Sequence, residues 1–326
     1  MLNLPKPSST TLDKYFSLIE NYVLNALNTS SLSRNAKLYL TTSRIREIIV
    51  GEPQLLKDFH NDIIPLLGAR FSIREYKAFL KAKKKRVRSI TESRLVRRYA
   101  RKIHALETVF DYDSIISGKK DVSYQLAKML DRSTCTYCNR LYTITVSKNN
   151  SPNEGITRPQ FDHWYSKKRY PILALSFYNL IPSCSVCNST VKGDTDFKLS
   201  RYYHPYLDSF LKEFKFSYNL ESAVDNNVTI KYVAGSAKAK RTLSEFKIQE
   251  IYNAHSLLEL KDLIELKGKY SDSYLKTLFE DLFKGLSVHR KDAYRYLFGT
   301  EYKDREFHKR PMSKFKKDII KELRLL

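Results

Sequence analysis

The four cysteines of the chain form two Cys-x-x-Cys pairs, and this spacing constrains the fold more than any other feature. Cys135 pairs with Cys138, and Cys184 with Cys187. Random placement would give two such pairs with odds on the order of 1 in 10⁴. Two such turns supply four thiolates in a tetrahedron, the ligand set of structural Zn²⁺. The alternatives are buried thiols or redox dithiols, but the thioredoxin-like βαβ pattern that accompanies a redox pair is missing. We therefore predict a structural zinc site.

Composition and charge limit the class of protein. Of 326 residues, 42% are hydrophobic and 13% aromatic, which excludes global disorder. The formal net charge of +23 favours nucleic acid as the partner over an acidic protein or an anionic membrane surface. The longest nearly apolar stretch, 171–181, is too short to cross a bilayer, and the amino terminus lacks a secretory h-region. We expect a cytoplasmic protein with no membrane partner.

The 45 residues between the two cysteine pairs exceed the roughly 15–20 of a zinc ribbon, so other elements are inserted there. β-Branched alternation predicts a strand over 141–146, and a turn-rich loop over 147–155 follows. Over 173–180 the pattern does not separate a strand from a short helix. Polar residues of catalytic type punctuate the insertion and its end: Asp162, His163, Asn179 and Asn188, with the basic run Lys167, Lys168 and Arg169.

The order of these motifs resembles the HNH (ββα-metal) endonuclease family in its zinc-knuckle form. The elements are CxxC, Asp162-His163, Asn179-Leu and CxxC-Asn188, within a longer string similar to nuclease subunits of Septu-type and retron-associated bacterial anti-phage systems. The resemblance covers about residues 133–206, with a looser similarity in the carboxy-terminal third. It implies a ββα-metal core, phosphodiester hydrolysis and an ATPase partner on a separate polypeptide, since this chain has no GxxxxGK[ST] loop.

The residue types suit that chemistry. His163 can accept a proton from water near neutral pH, and the Asp162 carboxylate suits Mg²⁺ or Mn²⁺. The resemblance implies that Asn188 is the second ligand of this catalytic metal and that Asn179 holds the loop bearing His163 through a backbone hydrogen bond. Structural alternatives stay open: a satisfied Asp-His pair, a cap at Asn179 and a helix N-cap at Asn188. His204 is either a further site residue or a structural one.

The flanking regions read as mainly helical, with apolar residues at three-to-four spacing over 15–24, 45–50 and 56–67. A further helix carries a cationic side opposite the apolar stripe of Leu95, Tyr99, Ile103 and Leu106, and it is either a phosphate track or a solvated surface. The expected nucleic-acid contacts are Arg94, Arg97, Arg98 and Arg101, with Lys167, Lys168 and Arg169. A β-hairpin is predicted from 215–220 and 228–233, and helices follow from residue 242.

Together these features predict an α+β, mainly helical fold. We expect a basic helical domain over 1–130, an HNH nuclease core with a four-cysteine zinc site over 131–210, and a β-hairpin with a helical region over 211–326. The predicted function is metal-dependent cleavage of nucleic acid, with DNA favoured and RNA the alternative, as the effector of a bacterial anti-phage defence system. The competing hypothesis is a non-catalytic zinc-knuckle module that binds nucleic acid or an ATPase partner.

Overall fold

The computed structural model describes residues 2–193, 195–220, 226–277 and 289–325. Within these ranges the chain is a mainly helical α+β structure, as predicted, with small two-stranded sheets and a buried four-cysteine cluster. None of the helices in these ranges has the length and apolarity needed to cross a membrane.

The amino-terminal part is a succession of capped amphipathic helices. Ser8 caps the first helix by accepting from the Thr11 N–H, and Ser89 forms a reciprocal capping box with Glu92 at the sixth. The three predicted apolar stripes lie in helices and face the core, which confirms those predictions. The helices are α1 Ser9–Thr29, α2 Arg34–Tyr39, α3 Thr42–Val50, α4 Pro53–Leu66, α5 Ile73–Lys83, α6 Ile90–Val109 and α7 Lys120–Leu130.

Three antiparallel pairs of strands follow. The pair that carries the candidate site is β3–β4, in which Asp162 lies opposite Ile181 and His163 opposite Leu180. The segment 173–180, left open from the sequence, forms single 3₁₀ turns at Pro171–Leu173 and Phe177–Asn179 before β4 begins. The strands are β1 Val146–Ser147, β2 Gly155–Thr157, β3 Gln160–His163, β4 Leu180–Ser183, β5 Phe214–Leu220 and β6 Asn226–Tyr232.

The strand predicted over 141–146 is wrong. Only an isolated bridge between Thr134 and Tyr142 and the short β1 form there. Tyr142 and Ile144 are 54% and 47% exposed, so the alternating pattern has no buried face to hold it in a sheet. Instead, the Leu141 carbonyl accepts from the Cys135 N–H at 3.0 Å, and the segment serves the first cysteine turn.

The carboxy-terminal part contains the predicted hairpin and helices. Its turn, 221–225, lies outside the described residues, but the β5–β6 register confirms the pairing. The helices are α8 Ala237–Glu245, α9 Ile248–Asn253, α10 Lys261–Lys269, α11 Asp272–Thr277, α12 Arg290–Phe298 and α13 Ser313–Glu322. Helix α13 packs on β5, with Phe315 against Phe216 at 5.5 Å between ring centroids.

One continuous apolar cluster reaches from Leu4 to Leu325 and joins the three regions. At its centre the Tyr15 hydroxyl donates to the Leu175 carbonyl at 2.8 Å, and the Tyr15 ring packs edge-on against Phe177. Helix α1 thereby supports the turns that precede β4. The division of the chain at residues 130 and 210 stays a prediction.

Burial of His60 couples stability to pH. The side chain is 2% exposed between the rings of Tyr76 and Tyr170, and burial, with the nearby Lys57 charge, lowers its pKa to about 3. Because the unfolded chain has the ordinary His pKa of about 6.5, it binds a proton below that pH while the folded chain does not. The stabilisation is therefore complete above about pH 6.5 and is lost as the pH falls towards 3.

The matched variant is His60→Phe, which keeps an aromatic ring and removes the titration. Between pH 7.5 and pH 5.5 the native chain should lose about 1.4 kcal/mol more free energy of unfolding than His60→Phe, measured by urea denaturation. Equal losses in the two proteins would show that folding does not lower the pKa of His60.

Candidate functional site

The four cysteine sulfurs form one buried cluster in which all lie within 4.8 Å of one another. The Sγ atoms of Cys138 and Cys184 are 3.9 Å apart. A tetrahedral Zn²⁺ with Zn–S bonds of about 2.3 Å has an S–S edge of about 3.8 Å. The cluster is therefore consistent with a structural Zn²⁺ site, and in the described ranges no histidine or carboxylate joins it.

The backbone of the two cysteine turns explains the convergence of the sulfurs. The Arg140 N–H donates to Cys138 Sγ at 3.4 Å, and the Cys187 N–H donates to Cys184 Sγ at 3.5 Å. Asn139 takes a left-handed conformation with φ of 51°, which asparagine tolerates better than most residues. Burial holds the pKa of the Cys135 thiol well above its usual value, and a bound cation would favour its thiolate form.

The first cysteine turn is anchored by four distant parts of the chain. The Thr136 N–H donates to the Pro182 carbonyl of β4 at 3.2 Å, and the Thr136 carbonyl accepts from the Leu2 N–H at 2.7 Å. The Tyr252 hydroxyl donates to the Cys138 carbonyl at 2.7 Å, and the Met312 N–H donates to the Asn139 carbonyl at 2.6 Å. The cysteine cluster therefore organises the amino terminus, β4, α9 and the segment before α13.

Asp162 lies on β3 in direct contact with that turn. The hydroxyl of Tyr137, a residue inside the first cysteine pair, donates to Asp162 Oδ2 at 2.6 Å. Asp162 Oδ1 accepts from the Lys192 ammonium at 3.0 Å, and Lys192 also donates to the His163 carbonyl at 2.6 Å. Both partners were missed from the sequence: Tyr137 stands between two zinc-type cysteines, and Lys192 lies one helical turn after Asn188.

His163, the next residue, is held in one orientation. Its Nε2 lies 3.0 Å from the Ala174 carbonyl, and its ring packs edge-on against Tyr112 with 4.5 Å between centroids. A carbonyl can only accept, so the ring proton is on Nε2 and the lone pair is on Nδ1. Burial, together with the charges of Lys167 and Lys192, lowers the pKa of His163 to about 3, so the ring is neutral at physiological pH.

Asn179 makes the backbone hydrogen bonds that the resemblance implies. Its Oδ1 accepts from the Tyr165 N–H at 2.6 Å, and its Nδ2 donates to the carbonyls of Tyr165 and Leu173 at 3.0 and 2.8 Å. The side chain is buried and clamps the turn two residues after His163. It contacts this loop and not the cavities described below.

Asn188 lies directly after the second cysteine pair, in the π-helical turn Val186–Lys192. Its Nδ2 donates to Gln160 Oε1 of β3 at 2.9 Å, which aims the amide and leaves Oδ1 without a hydrogen bond among the described residues. The Asn188 N–H donates to the Cys184 carbonyl at 3.0 Å. The zinc turn therefore fixes where this amide points.

Two adjoining cavities meet at His163, Lys167 and Asn188. The first, which we call the Asp162 cavity, has a volume of about 330 Å³ and is also lined by Ser166, Lys168, Ser189, Lys192 and Gly193. The second, the Arg158 cavity, has a volume of about 400 Å³ and is also lined by Tyr112, Ser117, Gln160 and Phe161. The structure thus brings Asp162, His163 and Asn188 to one basic opening.

The predicted basic run divides between two environments. Lys167 lines both cavities, but its ammonium is paired with the Asp113 carboxylate at 2.6 Å and lies over the Tyr112 ring. Lys168 is exposed and lines the Asp162 cavity. Arg169 lines neither cavity, and its carbonyl accepts from the hydroxyl of Tyr76 on α5 at 2.8 Å.

The predicted arginine surface lies on α6, opposite its buried stripe. Arg94, Arg97 and Arg101 are exposed. Arg98 is different, because it forms an ion pair with Glu75 at 2.8 Å and lies over the Tyr99 ring. Arg98 thereby ties α6 to α5, and its predicted contact with nucleic acid stays a prediction.

His204 is a structural residue in this fold. It is fully buried against Trp164, with 4.6 Å between ring centroids, and its Nδ1 accepts from the Tyr206 N–H at 3.3 Å. Burial lowers its pKa to about 3. His204 therefore supports the residue after His163 and does not join the cysteine cluster.

Comparison with known proteins finds no matching protein-family model, no significantly similar curated protein and no significantly similar solved structure.

The cysteine cluster can be tested by one substitution. Cys135→Ser removes one of four ligands, and because structural zinc contributes about 10 kcal/mol or more of binding free energy, we expect the free energy of unfolding to fall by at least about 3 kcal/mol. Elemental analysis should find one zinc per native chain and little in the variant. The control is Ser185→Ala, an exposed position inside the second pair, which should keep its zinc. Unchanged zinc content in Cys135→Ser would refute the assignment.

Proposed function

We propose that this protein is a metal-dependent endonuclease that hydrolyses phosphodiester bonds of nucleic acid. The observation that carries the proposal is the meeting of Asp162, His163 and Asn188 at one basic opening. The elements that bear them are two antiparallel strands and a helical turn, β3, β4 and Val186–Lys192, in the order that the ββα-metal name describes. Both the order and the cavity support an HNH type of site.

His163 is the proposed general base. The hydrogen bond from Nε2 to the Ala174 carbonyl leaves Nδ1 as the atom that takes the proton from the attacking water. The ring is neutral, but burial and the charges of Lys167 and Lys192 make it a weak base before substrate enters. A phosphate entering the cavities offsets the positive charges of Lys167 and Lys192, which favours the protonated form of His163.

Asp162 and Asn188 are the residues that would hold a catalytic Mg²⁺ or Mn²⁺. Carboxylate and amide oxygens suit these cations, and Asn188 Oδ1 has no hydrogen bond among the described residues. Asp162 would have to exchange the Lys192 ammonium, which now contacts its Oδ1 at 3.0 Å, for the metal. When bound, the metal supplies positive charge for the phosphate oxygens and the leaving oxygen. Asn179 acts through position only, because its three backbone hydrogen bonds fix the turn after His163.

The charge of the cavity walls supports a phosphate-bearing substrate. Lys167, Lys168 and Lys192 line the Asp162 cavity against a single carboxylate, and Arg158 and Lys167 line the other. Arg94, Arg97 and Arg101 of α6 are also exposed, and the chain as a whole has a formal net charge of +23. These charged side chains would contact phosphates and not the edges of bases, so they do not distinguish DNA from RNA. DNA is favoured only by the resemblance, and RNA is the alternative.

The biological setting follows from the resemblance alone. Septu-type and retron-associated systems imply that this chain is the effector of a bacterial anti-phage defence and that a separate ATPase subunit controls it. A chain that binds nucleic acid or such a subunit without cleaving is the competing function.

The central test is cleavage by purified native protein and His163→Ala. Supercoiled plasmid DNA and total RNA are each incubated with Mg²⁺ or Mn²⁺, and the reactions are resolved on gels. We expect the variant to lose about 10²–10⁴-fold in rate because it lacks the base. The control is His289→Ala, an exposed histidine outside the cavities, which should cleave at the native rate.

Equal cleavage rates for the native protein and His163→Ala would refute the assignment of His163 as the general base. The native chain is also tested with metal and with a cell extract that contains ATP-hydrolysing proteins. If it then binds nucleic acid tightly but does not cleave it, the competing binding function is favoured.

The arginine surface of α6 gives a separate prediction. Replacing Arg94, Arg97 and Arg101 by glutamine should weaken nucleic-acid binding and reduce the slope of log affinity against log salt by up to about 3, because each phosphate contact contributes about 0.9. The control replaces Lys261, Lys267 and Lys269 of α10, which removes the same charge elsewhere. Equal slopes in the two triple variants would show that α6 is only a solvated face.

A further inference from the structure

Lys192 forms the most buried ion pair between described residues. The side chains of Lys192 and Asp162 are 2% and 4% exposed, whereas the next most buried pair, Lys314 with Asp318, is 9% and 12% exposed. The ammonium is held by Asp162 Oδ1 at 3.0 Å and the His163 carbonyl at 2.6 Å, and it lies 5.2 Å from the centre of the Phe197 ring. A cation this deeply buried requires a specific anionic partner, and Asp162 is that partner.

The Asp162 carboxylate has little capacity left to bind a further ligand. Oδ2 accepts from Tyr137 at 2.6 Å, so both oxygens of Asp162 are engaged by protein donors. A divalent cation at Asp162 would bring a second positive charge next to the Lys192 ammonium. In a buried place two such charges repel strongly. The ammonium and the metal are therefore alternative ways to neutralise one carboxylate.

An open cavity lies beside Lys192. It ends the π-helical turn that carries Asn188, and Gly193 follows with φ of 50°, in the left-handed region that favours glycine. Apart from its two chain neighbours, no atom of the described residues lies within 4 Å of a Cβ built at Gly193. Lys192 and Gly193 both line the Asp162 cavity, where a phosphate of the substrate would lie. An ammonium that leaves Asp162 can pair with that phosphate.

We propose that Lys192 is a resident cation that competes with the divalent metal for Asp162 and is drawn away by the substrate phosphate. This inference rests on the proposed function and adds its regulation. The chain alone keeps Asp162 neutralised by Lys192 and binds metal weakly. Nucleic acid recruits the ammonium, frees the carboxylate and tightens metal binding. By linkage, metal tightens nucleic-acid binding by the same factor.

The test is a Mn²⁺ titration followed by the fluorescence of Trp164, the single tryptophan, which is buried directly after His163. Native protein, Lys192→Gln and Lys192→Met are titrated with Mn²⁺ alone. Each is then titrated with a short oligonucleotide present, in a His163→Ala background that preserves the nucleic acid. Lys198→Met is the control, because it removes an exposed lysine six residues away. Lys192→Arg keeps the charge.

We expect Lys192→Gln to bind Mn²⁺ about tenfold or more tightly than the native chain without nucleic acid. The oligonucleotide should tighten Mn²⁺ binding by a similar factor in the native sequence and in Lys198→Met, but not in Lys192→Gln. Lys192→Arg should behave as the native chain. If Lys192→Gln fails to fold, judged by circular dichroism and zinc content, Lys192→Met decides.

Unchanged or weaker Mn²⁺ binding by the folded Lys192 variants would overturn the competition, even if the native chain cleaves nucleic acid in a His163-dependent manner. Equal tightening by the oligonucleotide with and without Lys192 would overturn the recruitment step. Mn²⁺ binding that is unaffected by Asp162→Asn would overturn this inference and would also remove the proposed metal ligand from the nuclease assignment.

Discussion

The rest of the structure depends on the convergence of four thiols at one buried point. The cluster is consistent with a structural Zn²⁺ site, and its sulfurs bring together segments that are 46 residues apart in the chain. The first cysteine turn then accepts hydrogen bonds from the amino terminus, α9 and the segment before α13, and it donates one to β4. A small sheet such as β3–β4 has little stability of its own, and here each strand is contacted from a cysteine turn: the Thr136 N–H donates to Pro182 of β4, and Asn188 donates to Gln160 of β3.

The same turns aim the candidate active site. Tyr137 lies between two cysteines and grips Asp162, while Asn188 follows the last cysteine and is aimed by Gln160. His163 is oriented from the other direction by Ala174 and Tyr112, on the side supported by α1 and the 3₁₀ turns. The cysteine turns and the proposed catalytic residues are thus joined by single hydrogen bonds, which orient side chains that lie on short elements.

Short-range sequence patterns correctly predicted the features that depend on residues close together in the chain. Cysteine spacing predicted the four-thiol cluster, apolar periodicity predicted the helices, and alternation predicted the β5–β6 hairpin. The strand over 141–146 failed because alternation implies a sheet only where one face is buried. Lys192 contacts Asp162 and Lys167 contacts Asp113, across 30 and 54 residues of sequence. These contacts depend on the tertiary fold, so no sequence motif predicted them.

The central claim is that Asp162, His163 and Asn188 form a metal-dependent nuclease centre. The most direct measurement is anomalous X-ray diffraction from crystals of His163→Ala grown with Mn²⁺ and a short oligonucleotide. The account predicts a manganese peak bonded by Asp162 and Asn188, with a phosphate of the oligonucleotide beside it and the Lys192 ammonium turned towards that phosphate. Nucleic acid bound elsewhere on the protein, with no manganese at Asp162, would contradict it.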